Sequence, residues 1–289
     1  MNRLTDQKPL ISIGVPTYNR AASLERVLES LVSQSYTNLE IIISDNCSPD
    51  AAVQDVAEKF AQSDSRVQYF RQTENLGAAF NFKFVLDQAS GKYFMWNADD
   101  DLRSDDFIEV NSRFLEKNKE YPASTSPNAL VKDFSDYDGP YVDFSLEGNL
   151  YQRFRKFFEN ALRSHGILYS LFRTDVIKKN PYMGKDFIAA DWAIDLFVLS
   201  HGPIARQKEG RIMSSIGGVS QSGNHFKNYR KSVVDDFFPM YQFTKEIKHL
   251  LKPLSIREKL KIRSMIFKFN HIYYNEIMSK AVNRLRSMT

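Results

Sequence analysis

The chain has 289 residues, 43% of them apolar, with 39 basic against 35 acidic side chains and a formal net charge of +4. That length supports one large domain or two modest ones with a real core, and the evenly mixed charge excludes the basic stripe of a nucleic-acid binder. Cys47 is the only cysteine, which excludes an intrachain disulfide and a cysteine metal cluster and fits a reducing, cytoplasmic setting.

The first element is a β-rich run over 10–15, LISIGV, stopped by Pro16 and delivering a loop at its carboxyl end. A helix over 22–34 follows, with Leu24, Val27, Leu28 and Leu31 at helical spacing and Ser23 as its cap. The pattern repeats in a strand over 39–43 ending in the polar SDNCSPD segment, then a helix over 53–60. A third strand covers 67–70, and the turn Asn75-Leu76-Gly77 leads into a helix over 78–88. A fourth strand over 93–96 runs into Asn97-Ala98-Asp99-Asp100-Asp101. Strands alternating with helices predict a parallel sheet with ligands outside the carboxyl ends of its strands. Those ends carry Thr17, Asp45, Arg71 and the aspartate cluster.

After residue 104 the alternation fades into a helix over 107–119 and a mixed region rich in proline and glycine. Residues 151–200 read as largely helical around a strand near 167–172, and 231–252 and 256–286 read as two closing helices. The N-terminal MNRLTDQKPL lacks a secretory pattern, and no apolar run approaches the roughly 20 residues that span a bilayer. The tail from 256 to 289 carries eight Lys or Arg against two Glu among apolar side chains. It reads as a core-packing terminal helix or, alternatively, as an interfacial helix in peripheral contact with the inner face of a membrane.

Three consecutive carboxylates at a strand end are costly unless something positive binds there. Hard oxygen ligands beside a phosphate suit Mg²⁺ or Mn²⁺, shared between one or two carboxylates and a diphosphate. The structural alternative is an acidic turn in which Asp101 or Ser104 caps the following helix.

Four motifs occur in order: Val15-Pro16-Thr17-Tyr18-Asn19-Arg20, Leu39 to Asp45, Arg71 with Asn75-Leu76-Gly77 and Asn81, and Asn97 to Asp101. In this series the chain resembles the family 2 glycosyltransferases, well over residues 9–120 and more weakly to about 200. The resemblance implies an α/β class: a GT-A, Rossmann-like and mainly parallel sheet flanked by helices, with a mixed acceptor-binding half and C-terminal helices. It divides the chain into a donor half (1–104), an acceptor and catalytic half of the same domain (105–230) and a helical extension (231–289). The implied activity is inverting transfer of a sugar from a UDP-sugar to a glycan or lipid-linked saccharide in cell-surface polysaccharide biosynthesis.

By the same resemblance Pro16, Thr17 and Tyr18 line the base, Asp45 accepts from a uracil-type imide and Arg71 lies nearby. Asn19, Asn75, Asn81, Asn97, Ala98 and Asp99 complete the donor contacts. An acceptor-only carboxylate suits an imide N–H, although Asp45 also fits an Asx turn at a strand end. The family's Asp-x-Asp is replaced here by Asn97-Ala98-Asp99 followed by two more aspartates, so the metal ligand is Asp99 or, one place on, Asp100. Asp191, in Ala189-Ala190-Asp191-Trp192, resembles the second acid of the family's Glu-Asp pair and is the candidate base, with helix capping as its alternative. Ala190 stands where the family has the other acid.

The glycine-rich stretch 217–223 with His225 and Lys227 reads as a loop able to close over the diphosphate. His225 is either a metal ligand or an ordinary surface histidine. His165 is placed toward the acceptor, Trp192 on a sugar ring or in the core, and Cys47 has no nucleophile's partner. A nucleotidyltransferase is disfavoured because no Gly-rich basic loop follows the first strand. A dTDP or GDP donor, and a nucleotide-sugar-binding or partner-binding module without turnover, remain as alternatives.

Overall fold

The computed structural model describes residues 8–131, 142–162, 166–215 and 233–286. Its strands are β1 (Ile11–Thr17), β2 (Leu39–Asp45), β3 (Val67–Arg71), β4 (Tyr93–Trp96), β5 (Leu102–Arg103), β6 (Ala123–Thr125), β7 (Asn128–Val131), β8 (Leu171–Arg173), β9 (Ile204–Arg206) and β10 (Ile212–Ser215). Seven of them form one sheet in the order β3-β2-β1-β4-β8-β6-β9, and β5, β10 and β7 form a small second sheet. In the large sheet only β8 runs antiparallel to its neighbours. Because β4 pairs with β8, strands from both halves of the sequence share one sheet.

The alternation of side chains along each strand explains the two-sided core. Ile11, Ile13, Val15, Ile41, Ile43, Tyr93 and Met95 pack on one face against α1 (Ala21–Val32), α2 (Ala51–Ser63) and α4 (Phe107–Lys117). Ile42, Phe94 and Trp96 face the other way, onto α3 (Ala78–Gln88), α5 (Leu150–Asn160) and α7 (Ala190–His201). The short α6 (Thr174–Ile177) links β8 to that second layer.

Some expected boundaries change. Strand β1 runs past Pro16 to Thr17, because β4 ends opposite Gly14 and the donor that Pro16 lacks points beyond that end. No side chain caps α1, so Ser23 is not its N-cap. The single helix expected over 231–252 is instead α8 (Val233–Phe237), α9 (Tyr241–Glu246) and a 3₁₀ turn, Ile247–His249. Pro239 lies in the break, where it removes an N–H and crowds the preceding turn. The chain closes with α10 (Ile256–Arg286), and no described helix is long and apolar enough to cross a membrane.

Candidate active site

The parallel strands β1 to β4 end on one edge, and their loops meet there. Thr17 Oγ1 donates to Asp99 Oδ2 at 2.8 Å, and the Tyr18 N–H points at the same oxygen from 3.4 Å. Arg20, at the end of the β1 loop, spans the aspartates: its Nη1 lies 3.1 Å from Asp99 Oδ1 and 2.5 Å from Asp100 Oδ2. Burial raises the Asp99 carboxyl above its ordinary range, with Thr17 and Arg20 offsetting part of the effect. Burial also works against the Arg20 charge, but Asp99 and Asp100 outweigh it and strengthen the guanidinium's hold on its proton.

Asp101 turns the other way. Its carboxylate accepts from Ser214 Oγ at 3.3 Å and the Ser215 N–H at 3.1 Å, fastening the β4 loop to β10. It is buried, and burial with Asp100 beside it pushes its pKa up to about 6. Asn97 is equally internal: its amide donates to the Ala98 and Asp101 carbonyls and its oxygen accepts from Arg103. Arg103 is buried, donates to the Trp96 and Tyr169 carbonyls at 2.9 and 3.2 Å, and lies over the Phe107 ring. The Asn97 side chain, expected among the donor contacts, thus braces the loop that presents Ala98, Asp99 and Asp100.

The base-side residues sit on the same edge at different depths. The Asp45 side chain is fully buried; Oδ1 accepts from Ser48 N–H at 2.8 Å and Ser48 Oγ at 2.6 Å, and Oδ2 from the Tyr69 hydroxyl at 3.2 Å. Arg71 lies 3.9 Å from Oδ2 and donates to the Ser48 carbonyl and to Gln54. Asn19 adopts a left-handed backbone, tolerable for asparagine, with its N–H on Ser48 Oγ at 2.8 Å. Pro16 is buried, whereas Tyr18 is 43% exposed and open to a ligand. Asn75 accepts from Asn46 and Gly77, and buried Asn81 ties Thr17 and Ser44 carbonyls together. Asn81 and Asn97 therefore shape the edge from beneath.

Asp191 is exposed in the first turn of α7, after Ala189, whose left-handed backbone (φ 63°) turns the chain into the helix. Its charge is felt by Tyr169 and by Asp195, one turn along the helix. Tyr169 also feels Asp100 and Asp101, and its carbonyl accepts from Arg103 at the foot of the β4 loop. Asp195 is buried and its Oδ1 has no hydrogen-bond partner among the described residues; burial, then Asp191, drives its carboxyl well above the usual range. Trp192 belongs to the core, packed against Phe157, Phe243 and Phe269. His165, the 217–223 loop, His225 and Lys227 lie outside the described residues.

Sequence reading gave no role to Arg20, Arg103, Tyr169 or Asp195. Two signals point to them: three adjacent aspartates require a counter-charge, and Asp195 follows Asp191 at the four-residue spacing of one helix face. No group of three His, Cys, Asp or Glu converges among the described residues. Asp99 and Asp100 nevertheless converge on one cationic nitrogen. Two such carboxylates with a substrate diphosphate are the donor set that Mg²⁺ or Mn²⁺ takes.

A sequence model of Glycosyl transferase family 2 matches residues 12–177, more than half the chain. A putative teichuronic acid biosynthesis glycosyltransferase of Bacillus subtilis, TuaG, is 32% identical over 112 residues, 39% of this chain and 44% of the relative. A GalNAc(5)-diNAcBac-PP-undecaprenol beta-1,3-glucosyltransferase of Campylobacter jejuni is 38% identical over 94 residues, 32% and 30% of the two chains. The chain thus spans less than half the length of these curated relatives. The crystal structure of S. aureus TarS 1-349 superposes with a TM-score of 0.64 at 18% identity, covering 91% of this chain and 72% of that one. TarS has also been solved with UDP-GlcNAc, where the TM-score is 0.57 and coverage 88% and 79%. With its parallel strand ends, its Thr17–Asp99–Arg20 edge and the matched stretch, this chain has the GT-A fold and belongs to the family 2 glycosyltransferases.

Proposed function

We propose that this chain transfers a sugar from a UDP-sugar to a glycan or lipid-linked saccharide, with inversion, in the biosynthesis of a cell-surface polysaccharide. The observation that carries the reading is the convergence of Thr17, Arg20, Asp99 and Asp100 at the carboxyl edge of the parallel strands. The UDP-GlcNAc complex of TarS supports the donor class, and the names of the Bacillus and Campylobacter relatives support the acceptor class. Residues 1–104 hold the donor, 105–230 the acceptor and 231–289 form the helical extension. The enzyme works in the cytoplasm, at the inner face of the membrane where a lipid-linked acceptor is presented.

The base lies beside the β2 and β3 loops. Pro16, Thr17, Tyr18, Asn19, Asp45, Arg71 and Asn75 form this region, and Asn81, Asn97 and Ala98 hold its floor. For Asp45 to accept an imide N–H, the Tyr69 hydroxyl must yield Oδ2, the oxygen with the weaker protein contacts. Asp99 and Asp100 would hold a Mn²⁺ or Mg²⁺ ion, whose chemistry is to neutralise charge on the departing diphosphate. Arg20, bound to both carboxylates here, is within reach of the same diphosphate.

Asp191 takes the proton of the acceptor hydroxyl as that oxygen bonds to the anomeric carbon. The bond from that carbon to the diphosphate oxygen breaks, and its electron pair leaves with UDP. Exposure suits Asp191 to meet an incoming hydroxyl. Asp191→Asn should abolish transfer, measured as UDP released from a nucleotide-sugar panel with acceptor, and leave UDP affinity within about twofold. An active Asp191→Asn enzyme removes the base assignment. Tight UDP binding by the unaltered chain without transfer to any acceptor supports a binding module instead.

A further inference from the structure

We propose that the outward face of α10 docks on an anionic phospholipid surface, an assignment that extends the membrane-side location proposed above and stands apart from the donor reading. Helix α10 is apolar on two faces. Ile262, Ile266 and Phe269 point inward and are buried, with Phe269 against Trp192 and Phe158. This inner face accounts for a core-packing helix. It leaves unexplained Ile256, Leu260 and Phe267, which are 78%, 60% and 63% exposed. With Tyr274 they recur at spacings of four, seven and seven, forming one stripe roughly 130° around the helix from the buried face.

The charge beside the stripe selects its occupant. Arg257, Lys261 and Lys268 follow one flank and Arg263 the other. Between residues 256 and 275 Glu258 is the one acid, and it is engaged by the Ser255 N–H and hydroxyl. Arg257, Arg263 and Lys268 have no ion-pair partner among the described residues. An exposed apolar stripe between basic flanks is complementary to the boundary between acyl chains and anionic headgroups.

The segment packed beside α10 carries further exposed apolar side chains. Among the described residues, eight of the twelve exposed large apolar side chains lie between residues 234 and 272, including Phe237, Phe238 and Tyr241. That segment is fastened to α10 by the Met240 N–H on Asn270 Oδ1 at 2.8 Å. A second copy of the chain is a poorer occupant. If Leu260, Phe267 and Tyr274 formed one position of a coiled-coil seam, the companion positions would be Arg263 and Asn270, which are polar. Two such basic faces would also repel.

The test is co-sedimentation of the full chain with mixed phosphatidylcholine–phosphatidylglycerol vesicles and with pure phosphatidylcholine vesicles. Binding to the mixed vesicles, weakening with salt and absent on phosphatidylcholine, is the expected result. Leu260→Ser with Phe267→Ser should weaken it by about tenfold or more, and Arg257→Gln with Lys268→Gln by about fivefold per charge. All four side chains are exposed, so an unchanged melting curve and unchanged UDP binding separate loss of docking from damage to the fold or donor site. Equal vesicle binding by the variants and the unaltered chain overturns the proposal. So does concentration-dependent self-association without vesicle binding, if Leu260→Ser with Phe267→Ser abolishes it.

Discussion

Asp99 and Asp100 turn toward Arg20 while Asp101 turns toward Ser214 and Ser215, so three adjacent carboxylates serve two purposes. One pair offers charge to a ligand, and the third is a structural fastening. The aspartate run shows in the sequence that this strand end is costly without a cation. It cannot show which way each side chain turns, because that depends on partners 79 to 114 positions away in the chain. Asp195 illustrates the same limit: it reads as an ordinary helix residue until the packing of α7 buries it. Its carboxyl binds a proton more tightly folded than unfolded. Its contribution to stability is therefore complete below the unfolded pKa of about 3.9 and is lost as pH rises toward the higher folded value. Asp195→Asn should retain the fold and gain stability relative to the unaltered chain as pH rises from about 4 to 7, measured by urea unfolding. A difference independent of pH would mean that Asp195 is not held protonated.

The first four strands and their helices are legible because each carries its own local period. The apolar residues of α1 recur at three and four, and β1, β2 and β4 are short apolar runs that a two-sided core requires. Strands β5, β6, β7, β9 and β10 are two to four residues long, too short to show a period, and exist through pairing with distant partners. Helix α3 packs so closely on β1 that a Cβ on Gly14 would lie 2.5 Å from Val85 Cγ2 and 3.0 Å from the Phe94 ring. Gly14→Ala should therefore destabilise by about 1–3 kcal/mol, read as a fall in melting temperature of about 2–4 °C per kcal/mol. An unchanged melting temperature would show that α3 can move away from the sheet. The strand also carries Thr17, so the same substitution reports how firmly the donor edge is set.

At the scale of the molecule, one sheet joins the strand ends that carry Thr17 and the aspartate run to the half that carries Asp191, and the C-terminal helices close its second layer. The family is legible from four motifs in the first hundred residues. The relation of Asp191 to those motifs is not, since it depends on how the second half of the chain packs onto the same sheet. The docking face of α10 is hidden in sequence for a related reason: its apolar residues divide between core and solvent only once Phe158, Trp192 and Phe243 have claimed one side. In the proposed function, Asp99 and Asp100 form, with a divalent ion, the seat of a nucleoside diphosphate. Calorimetric titration of UDP into the full chain and into Asp99→Ala, each with and without Mn²⁺, tests it most directly. Mn²⁺ should strengthen UDP binding to the unaltered chain by about tenfold or more and have no such effect on Asp99→Ala. The same UDP affinity in all four titrations would contradict it.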